Sequence, residues 1–376
     1  MMKNKGLYIH IPYCAQKCKY CDFLSFANGD RMEDYFSALK KEISLFGEFQ
    51  YGVDSVFIGG GTPSFIPSSY VKDFMETVRG AFALKEGAEI TIEMNPESVS
   101  REKLEVYLKA GVNRFSMGVQ SFNDESLRYI GRIHNSKKAI EAIGMIRSLG
   151  IENINIDMMM ALPYQTFDDL KRDVEMVLQI NPNHLSYYSL ILEEGTCLYD
   201  YYEKNPEAFP DEELDRKMYH YLVGELENAG LRQYEISNFA KENYESRHNL
   251  KYWSLEEYIG LGLGSSSFID KTRRKNTSDL SFYIYSLEKG RLPIESSEKI
   301  TEKELMEDFM IFGIRKNRGV SKEEFKKLFS VELEGVYGKE VKGLMKDGLM
   351  EEEGDYLRLT KRGRDLSNLC ELKFIK

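Results

Sequence analysis

Three of the five cysteines lie in one short stretch, Tyr8-Ile-His-Ile-Pro-Tyr-Cys14-Ala-Gln-Lys-Cys18-Lys-Tyr-Cys21-Asp-Phe23. Their spacing is C-x3-C-x2-C, and they follow an apolar, β-branched run that predicts a strand. A closed zinc site or a fully ligated iron–sulfur cluster needs four protein ligands, and this loop supplies three. If the centre is a four-iron cluster, its fourth iron is left for a small molecule that binds through an amine and a carboxylate. Three buried or zinc-binding cysteines are the alternative interpretation.

Length, charge and cysteine usage limit the class of protein. A chain of 376 residues suits a barrel of about 200 to 250 residues with a smaller partner domain. A formal net charge of −10 disfavours non-specific binding to nucleic acid or anionic lipid. No apolar run of about 18 residues occurs, and the chain enters its first strand without a signal-peptide pattern. We therefore expect a cytoplasmic protein without a transmembrane segment, and an odd number of cysteines suits that reducing compartment.

The first two-thirds of the chain alternates short β-branched runs with longer amphipathic runs, which is typical of βα units on a parallel sheet. We predict six strands, at residues 6–11, 54–58, 89–94, 114–119, 153–159 and 184–190. Six such units predict an α/β fold, namely a partial (β/α)6 barrel. In barrels of this kind, functional groups lie on the loops at the carboxyl ends of the strands.

Two motifs follow the second and third predicted strands. The second strand leads into Gly59-Gly60-Gly61-Thr62, and glycines let the backbone approach a ligand closely. A tight turn explains the same glycines equally well. The third strand ends at Glu93, whose carboxylate can accept hydrogen bonds from hydroxyl or ammonium groups, or can cap the next helix. We favour a ligand-binding role for Glu93.

Three further polar residues follow or end the fourth and fifth strands, namely Gln120, Arg132 and Asp157. A guanidinium group binds a carboxylate through two hydrogen bonds, so Arg132 suits the carboxylate of a ligand. Each residue also has an ordinary explanation: a solvated helix face for Arg132, a turn for Asp157 and a loop hydrogen bond for Gln120. Their order along the strand ends favours a shared binding site.

The cysteine spacing resembles that of radical SAM enzymes, which use a 4Fe-4S cluster and S-adenosylmethionine to generate a 5′-deoxyadenosyl radical. Segments 14–23, 59–64, 93–96, 118–122 and 162–166 are together similar to the family of oxygen-independent coproporphyrinogen oxidase and its relatives. The resemblance implies that Cys14, Cys18 and Cys21 bind the cluster. It also implies that S-adenosylmethionine contacts a set of residues near the strand ends: Tyr8, Phe23, Gly60, Gly61, Thr62, Glu93, Gln120, Arg132 and Asp157.

Two departures point to one branch of that family. The oxidases carry C-x3-C-x2-C-x-C and a longer N-terminal arm, whereas here Phe23 takes the last position and 13 residues precede Cys14. The chain is therefore more similar to the HemW branch of haem chaperones. This resemblance implies haem as cargo, a haem-acceptor protein, and an electron donor such as flavodoxin or ferredoxin. The alternative is a radical SAM enzyme acting on a porphyrin, as coproporphyrinogen oxidase or as methyltransferase.

A second motif, Arg247-His248-Asn249-Leu-Lys-Tyr252-Trp253, contains the only tryptophan. This HNxxYW pattern occurs in the HemW branch, and imidazole beside aromatic rings suits haem. His248 is therefore a candidate haem contact. In the alternative interpretation, His248 and Asn249 form a hydrogen-bonded turn while the aromatic residues seal the barrel.

The remaining chain predicts a small α+β domain. Amphipathic helices, a short hairpin and a closing helix follow one another from residue 301, in an order that resembles a winged helix. Residues 301–376 hold 16 Lys or Arg against 16 Asp or Glu, so a DNA-binding stripe is absent and a docking or lid role is favoured. We predict domains at 1–235, at 236–298 with the HNxxYW segment, a glycine loop and a linker, and at 299–376.

Overall fold

The computed structural model describes residues 4–376 and contains a twelve-stranded sheet and a three-stranded sheet. The first six strands are β1 Lys5–Ile11, β2 Gly52–Gly60, β3 Ala83–Met94, β4 Arg114–Gln120, β5 Ile154–Met160 and β6 His184–Ser189. The helices that alternate with them are α1 Met32–Leu45, α2 Ser68–Ala81, α3 Arg101–Lys109, α4 Asp124–Tyr129, α5 Ser136–Ser148 and α6 Phe167–Ile180. The alternation of strands and helices agrees with the predicted βα units.

Strands β1 to β6 pair in chain order and are all parallel. Strand β4 is buried at every position, because helices cover the outer face of the sheet while the inner face lines the barrel. The first and last strands in the order of the large sheet do not pair with each other, so the barrel is open. The predicted partial (β/α)6 barrel is confirmed, and the carboxyl ends of its strands lie along one rim.

One strand begins well before its predicted start. The sequence predicts the third strand from residue 89, whereas β3 starts at Ala83. Ala83 and Leu84 pair with Gly52 and Val53, the first residues of β2. A register shift separates these two pairs from the rest of the β2–β3 pairing. Residues 83–87 are mostly exposed, so they lack the apolar alternation on which the prediction depends.

The segment after β6 completes the large sheet. Its elements are α7 Cys197–Tyr202, α8 Glu212–Asn228, β7 Arg232–Glu235, β8 Asn238–Ala240, α9 Arg247–Trp253, β9 Tyr258–Leu261, β10 Ser266–Ile269, β11 Thr272–Asn276, α10 Leu280–Glu288 and β12 Ile294–Lys299. Strand β8 pairs antiparallel with β6, whereas β9 pairs parallel with β1. Strands β7 and β12 are the edges.

Residues 268–298, in the segment that was predicted to contain a linker, include β11, α10 and most of β12. Strand β12 is exposed at five of its six positions, so its sequence lacks the alternation of apolar and polar residues that predicts a strand. The glycine run at residues 260–264 begins in β9 and turns toward β10, with Gly262 at φ 96°. The boundaries near residues 235 and 298 stay predictions.

The C-terminal part has the predicted winged-helix-like order. It consists of α11 Glu302–Gly313, β13 Val320–Ser321, α12 Lys322–Phe329, α13 Leu333–Lys346, β14 Met350–Glu353, β15 Tyr356–Leu359, α14 Lys361–Asp365 and α15 Ser367–Glu371. Its apolar side chains form a second core, into which Phe268 of β10 also packs. The Arg315 guanidinium lies 4.9 Å from the ring centre of Trp253, so this domain contacts the end of α9. Across residues 4–376, no helix combines the length and apolarity needed to cross a membrane.

Candidate functional site

A cavity of about 380 Å³ opens at the carboxyl ends of the barrel strands. The cysteine loop between β1 and α1 forms one wall, and the ends of β2 to β6 form the floor and the opposite wall. The cavity brings together eleven of the predicted site residues, which are Cys14, Cys18, Cys21, Phe23, Gly60, Gly61, Thr62, Glu93, Gln120, Arg132 and Asp157. Tyr8 and His248 do not line it.

The cysteine loop is fixed by one backbone hydrogen bond within itself and by backbone hydrogen bonds to two other segments. Cys14 N donates to Phe26 O at 3.0 Å, which closes the loop on itself. Lys19 N donates to Ile130 O at 3.0 Å, and Leu198 N donates to Lys19 O at 2.9 Å. The loop is therefore held between the end of α4 and the start of α7, two elements that lie more than 100 residues downstream.

Two polar side chains donate toward the thiol groups. Thr62 Oγ1 lies 3.4 Å from Cys14 Sγ, and Arg132 Nη1 lies 3.5 Å from Cys18 Sγ. Burial raises the pKa of Cys21 to about 11; a hydrogen bond with the Phe23 backbone opposes this shift, and the neighbouring cysteines add to it. Burial likewise raises the pKa of Cys14. Thiols in this setting become thiolates when a metal supplies compensating positive charge.

The glycine motif lets β2 end directly against the cysteine loop. Gly61 N donates to Ile11 O at 2.8 Å, and Thr62 N donates to Tyr13 O at 2.7 Å. A Cβ atom on Gly61 would lie 2.9 Å from Cys14 Sγ and 2.7 Å from Tyr13 O, so only glycine fits there. The glycine therefore has a packing role against the cysteine loop, and its backbone also faces the cavity.

Two carboxylates face the cavity, Glu93 from the end of β3 and Asp157 from the middle of β5. Glu93 accepts a hydrogen bond from Gly60 N at 3.1 Å, and no other donor within residues 4–376 reaches it. Burial and the nearby Asp157 raise the pKa of Glu93 to about 8. Burial also raises the pKa of Asp157. A ligand with positive charge or several hydroxyl groups would stabilise both ionised carboxylates.

A hydrogen-bonded network of strand residues orients Asp157. Asn155 Nδ2 donates to Asp157 Oδ1 at 2.7 Å, and Ser116 Oγ donates to Asp157 Oδ2 at 2.9 Å. His184 Nδ1 lies 2.7 Å from Asn155 Oδ1, which fixes the orientation of the amide. Sequence reasoning missed Asn155 and Ser116 as supporting residues. The sequence could have indicated Asn155, because side chains two residues apart in a strand share one face, and Asn155 is two residues before Asp157.

Arg132 is held by several neutral acceptors next to the cysteine loop. Its Nη2 donates to Asn95 Oδ1 at 2.7 Å and to Gly118 O at 2.5 Å. Asn95 Nδ2 in turn donates to Thr62 Oγ1 at 3.0 Å. Asn95 is a cavity-lining residue to which the sequence analysis gave no role, although it lies two residues after Glu93. The guanidinium charge is therefore positioned beside Cys18, where it can compensate negative charge on the sulfur.

Gln120 lies at the end of β4 in a left-handed conformation, with φ 69°. The turn that follows it is held by a buried carboxylate, since Ser121 Oγ and Phe122 N donate to Asp173 at 2.8 and 2.7 Å. Sequence reasoning did not identify Asp173. Its signal was a charged residue on the apolar face of α6, between Leu170 and Val174.

Profiles of two known families match the sequence, namely the Radical SAM superfamily over residues 8–177 and the HemN C-terminal domain over residues 300–366. Curated relatives named heme chaperone HemW are similar over nearly the whole length. The Bacillus subtilis protein is 36% identical, with 97% of each chain covered. The Escherichia coli protein is 33% identical, with 98% of this chain and 97% of its own covered. The chain belongs to the HemW family.

A solved structure supports the fold of this HemW-family chain. Coproporphyrinogen III oxidase (HemN) from Escherichia coli superposes with a TM-score of 0.87 and covers 99% of this chain and 90% of its own. The two sequences are 21% identical, so this likeness concerns the fold alone. The predicted membership in the oxidase-like family and in its HemW branch is confirmed by the relatives described above.

Membership in the radical SAM superfamily implies a 4Fe-4S cluster and S-adenosylmethionine, and the cavity fits both groups. Within the described residues, no three His, Cys, Asp or Glu side chains converge closely enough to hold one metal ion. In a cluster, however, each thiolate binds a different iron, so the three thiols need only line one cavity. The carboxylates of Glu93 and Asp157 and the glycine backbone offer acceptors for the amine and hydroxyl groups of the cofactor.

Tyr8 lies below the cavity in the barrel. Its hydroxyl group is 3.0 Å from His10 Nδ1, and its ring stacks on Phe57 with 6.3 Å between ring centres. Burial and then the Glu93 charge raise the pKa of Tyr8 above its usual value. The phenol is therefore a neutral hydrogen-bonding group near Glu93, and its contact with the cofactor stays a prediction.

The HNxxYW segment of this HemW-family chain forms α9 at the opposite, amino end of the barrel. His248 is buried, with Nδ1 3.0 Å from Ser55 Oγ and Nε2 2.8 Å from Tyr252 OH. Burial, followed by the Lys251 charge, lowers the pKa of His248 to about 3, so the imidazole is neutral. Iron could bind either nitrogen only after one of these hydrogen bonds breaks. The imidazole is hydrogen-bonded, as in the alternative interpretation, although His248 and Asn249 lie in α9 and not in a turn; the haem contact stays a prediction.

Proposed function

We propose that this chain is a haem chaperone that binds a 4Fe-4S cluster and S-adenosylmethionine, carries haem and transfers it to an acceptor protein. The observation that carries the proposal is the similarity over 97% of both chains to a relative named heme chaperone HemW. The complete cavity supports it, because every polar residue predicted at the strand ends lies within one site.

In this proposal, Cys14, Cys18 and Cys21 hold the cluster. When bound, the cluster supplies an electron to the sulfonium group of S-adenosylmethionine. Arg132 lies beside Cys18 and balances the negative charge of the thiolates. Because the loop is anchored to α4 and α7, the three sulfur atoms are kept on one wall of the cavity before the cluster is assembled.

The cofactor occupies the floor of the cavity. Glu93 and Asp157 accept hydrogen bonds from its amine or ribose hydroxyl groups, and the backbone at Gly60 and Gly61 faces it. Arg132 attracts its carboxylate, while Gln120 supplies an uncharged amide. Thr62, Phe23 and Tyr8 complete the set of proposed contacts.

The proposal includes two protein partners and a location. Haem passes to an acceptor protein, and an electron donor such as flavodoxin or ferredoxin reduces the cluster. The function is placed in the cytoplasm, where unpaired cysteines stay reduced. The winged-helix-like domain is assigned a docking or lid role, which its contact with the end of α9 supports.

A second candidate function is radical chemistry on a porphyrin, as coproporphyrinogen oxidase or as methyltransferase. It is favoured by one observation, namely that the cavity retains all the proposed cluster and cofactor residues except Tyr8 and is open at its mouth. A carrier that only stored haem would not need this arrangement of residues.

One experiment separates the two functions. The protein is reconstituted anaerobically with iron and sulfide, and the sample is divided for haem titration, haem transfer to an apo b-type cytochrome, and incubation with coproporphyrinogen, S-adenosylmethionine and a reductant. The chaperone proposal expects stable haem binding, transfer to the cytochrome and no protoporphyrinogen. Turnover of coproporphyrinogen without retained haem would replace it by the enzyme function.

A further inference from the structure

The two most exposed large apolar side chains of the described chain lie at the mouth of the same cavity. Ile191 is 69% exposed and Phe23 is 61% exposed. Both line the cavity that contains the proposed cluster and cofactor residues. An apolar ligand bound at this opening would remove both side chains from water, which is favourable.

These two side chains come from different parts of the chain. Phe23 belongs to the cysteine loop, and Ile191 follows the end of β6, so they approach the opening from separate walls. Met159 and the half-exposed ring of Tyr188 line the cavity on the β5 and β6 side. A flat apolar ligand can therefore contact walls on both sides of the mouth at once.

The charges at the mouth are mixed. Lys17 lines the cavity, and its ammonium group donates to Phe23 O at 3.2 Å, so a cation lies at the backbone of the residue that carries the exposed ring. Asp22 and Glu193 also line the cavity and disfavour an anionic group on their own sides. A ligand with a broad apolar face and a few carboxylates at one edge matches this pattern when that edge points toward Lys17.

We infer that haem binds across the mouth of this cavity, with its macrocycle against Phe23 and Ile191 and a propionate near Lys17. The inference rests on the proposed chaperone function and names the part of the molecule that carries the cargo. The haem lies outside the cofactor floor formed by Glu93 and Asp157. It also lies at the opposite end of the barrel from His248.

The first test measures haem affinity of the reconstituted full-length protein by titration of the Soret absorbance. Ile191→Ser removes the apolar contact, and we expect about tenfold or greater loss of haem affinity. Leu372→Ser is the matched control, since Leu372 is 60% exposed but lies in the C-terminal domain. S-adenosylmethionine binding and iron content should match the wild type in both variants.

The second test adds an iron ligand. Ile191→His places an imidazole at the proposed haem surface, so the Soret band should shift toward that of a His-ligated haem, whereas Leu372→His should leave the spectrum unchanged. Equal affinity of Ile191→Ser and wild type, together with no spectral shift in Ile191→His, would overturn the inferred location. Failure of the wild-type protein to bind haem at all would instead overturn the proposed function.

Discussion

The two ends of the barrel contain similar kinds of residues but use them differently. At the amino end, both nitrogens of His248 are within hydrogen-bond distance of protein hydroxyls, and Lys251 forms ion pairs with Asp54 and Glu256. At the carboxyl end, Glu93 has a single backbone donor among the described residues. Polar groups that are fully paired stabilise the fold, whereas buried groups that lack partners are available for a ligand.

This difference changes how the two sequence motifs are interpreted. The HNxxYW segment has the residue types expected for haem, yet its imidazole is enclosed by Ser55, Phe57 and Tyr252. The strand-end residues look ordinary one by one, yet the fold gathers them around one cavity. For Glu93 and His248, the number of partners that each group already has therefore separates a binding role from a structural role better than residue type does.

The largest expected effect concerns the cysteine loop. Replacement of Cys14, Cys18 or Cys21 by Ser should abolish the iron–sulfur absorbance and reduce bound iron to the background level, because a hydroxyl is a poor substitute for a thiolate ligand. Absorption spectra and iron analysis after anaerobic reconstitution measure this. Cys197→Ser is the control, since Cys197 is an exposed thiol outside the cavity. Full clusters in all three variants would remove the loop from its assigned role.

His248→Ala tests the opposite end of the barrel. The change removes two hydrogen bonds and a buried ring stacked on Phe57, so the free energy of unfolding should fall by about 2 to 4 kcal/mol. Denaturant titration measures the loss. If the residue is structural, the haem spectrum of the folded variant should match the wild type. A shifted Soret band with unchanged stability would show that His248 binds haem, and that the amino end of the barrel is a binding site.

Charged residues at the cavity should affect cofactor binding more than they affect the cluster, because the three thiolate ligands stay in place. Arg132→Ala and Glu93→Ala each remove a charge-assisted hydrogen bond, so S-adenosylmethionine affinity should fall by about ten- to hundredfold. Isothermal titration calorimetry on reconstituted protein measures the affinity. Arg128→Ala is a suitable control, because Arg128 is exposed on α4 and does not line the cavity. Unchanged affinity in both cavity variants would return these residues to structural roles.

A smaller effect is expected for Asn155→Ala, which acts through Asp157. Loss of the amide removes one of the two hydrogen bonds that hold the Asp157 carboxylate, so cofactor affinity should fall by about five- to tenfold. The same change in an Asp157→Ala background should have little further effect, because the group that it positions is already gone. Additive losses in this double-mutant cycle would show that Asn155 acts independently of Asp157.

The sequence predicts the barrel and most of the cavity for a clear physical reason. Strands buried on both faces give strong apolar runs, and the carboxyl ends of parallel strands meet at one rim, so residues such as Glu93 and Asp157 can be placed together without coordinates. The cysteine spacing adds the position of the loop. These features depend on local pattern and on a general rule of topology.

The missed features depend on contacts between distant parts of the chain. The polar strand β12 gives no apolar alternation, because five of its six residues are exposed. The bond between Arg132 and Asn95 joins residues 37 positions apart, and the enclosure of His248 by Ser55 joins residues 193 positions apart. Spacing within one motif cannot reveal such pairs, so the role of His248 depends on neighbours that the motif does not contain.

The smallest expected effect is the pH dependence of cofactor binding. Burial and Asp157 raise the pKa of Glu93 to about 8 in the cofactor-free protein, so the carboxyl is mostly protonated at pH 7. A cationic ligand binds the ionised form better. Affinity for S-adenosylmethionine should therefore rise by about fivefold between pH 7 and pH 8 and level off above the pKa.

Calorimetry at several pH values, in buffers of different ionisation enthalpy, measures both the affinity and the protons released on binding. Near pH 7 the wild type should release a proton as Glu93 ionises, whereas Glu93→Gln should bind weakly and with a smaller pH dependence. The same pH slope and proton release in Glu93→Gln as in the wild type would show that Glu93 does not face the cationic part of the cofactor. In that case the Glu93 carboxylate, with its single backbone donor, would no longer distinguish this end of the barrel from the other.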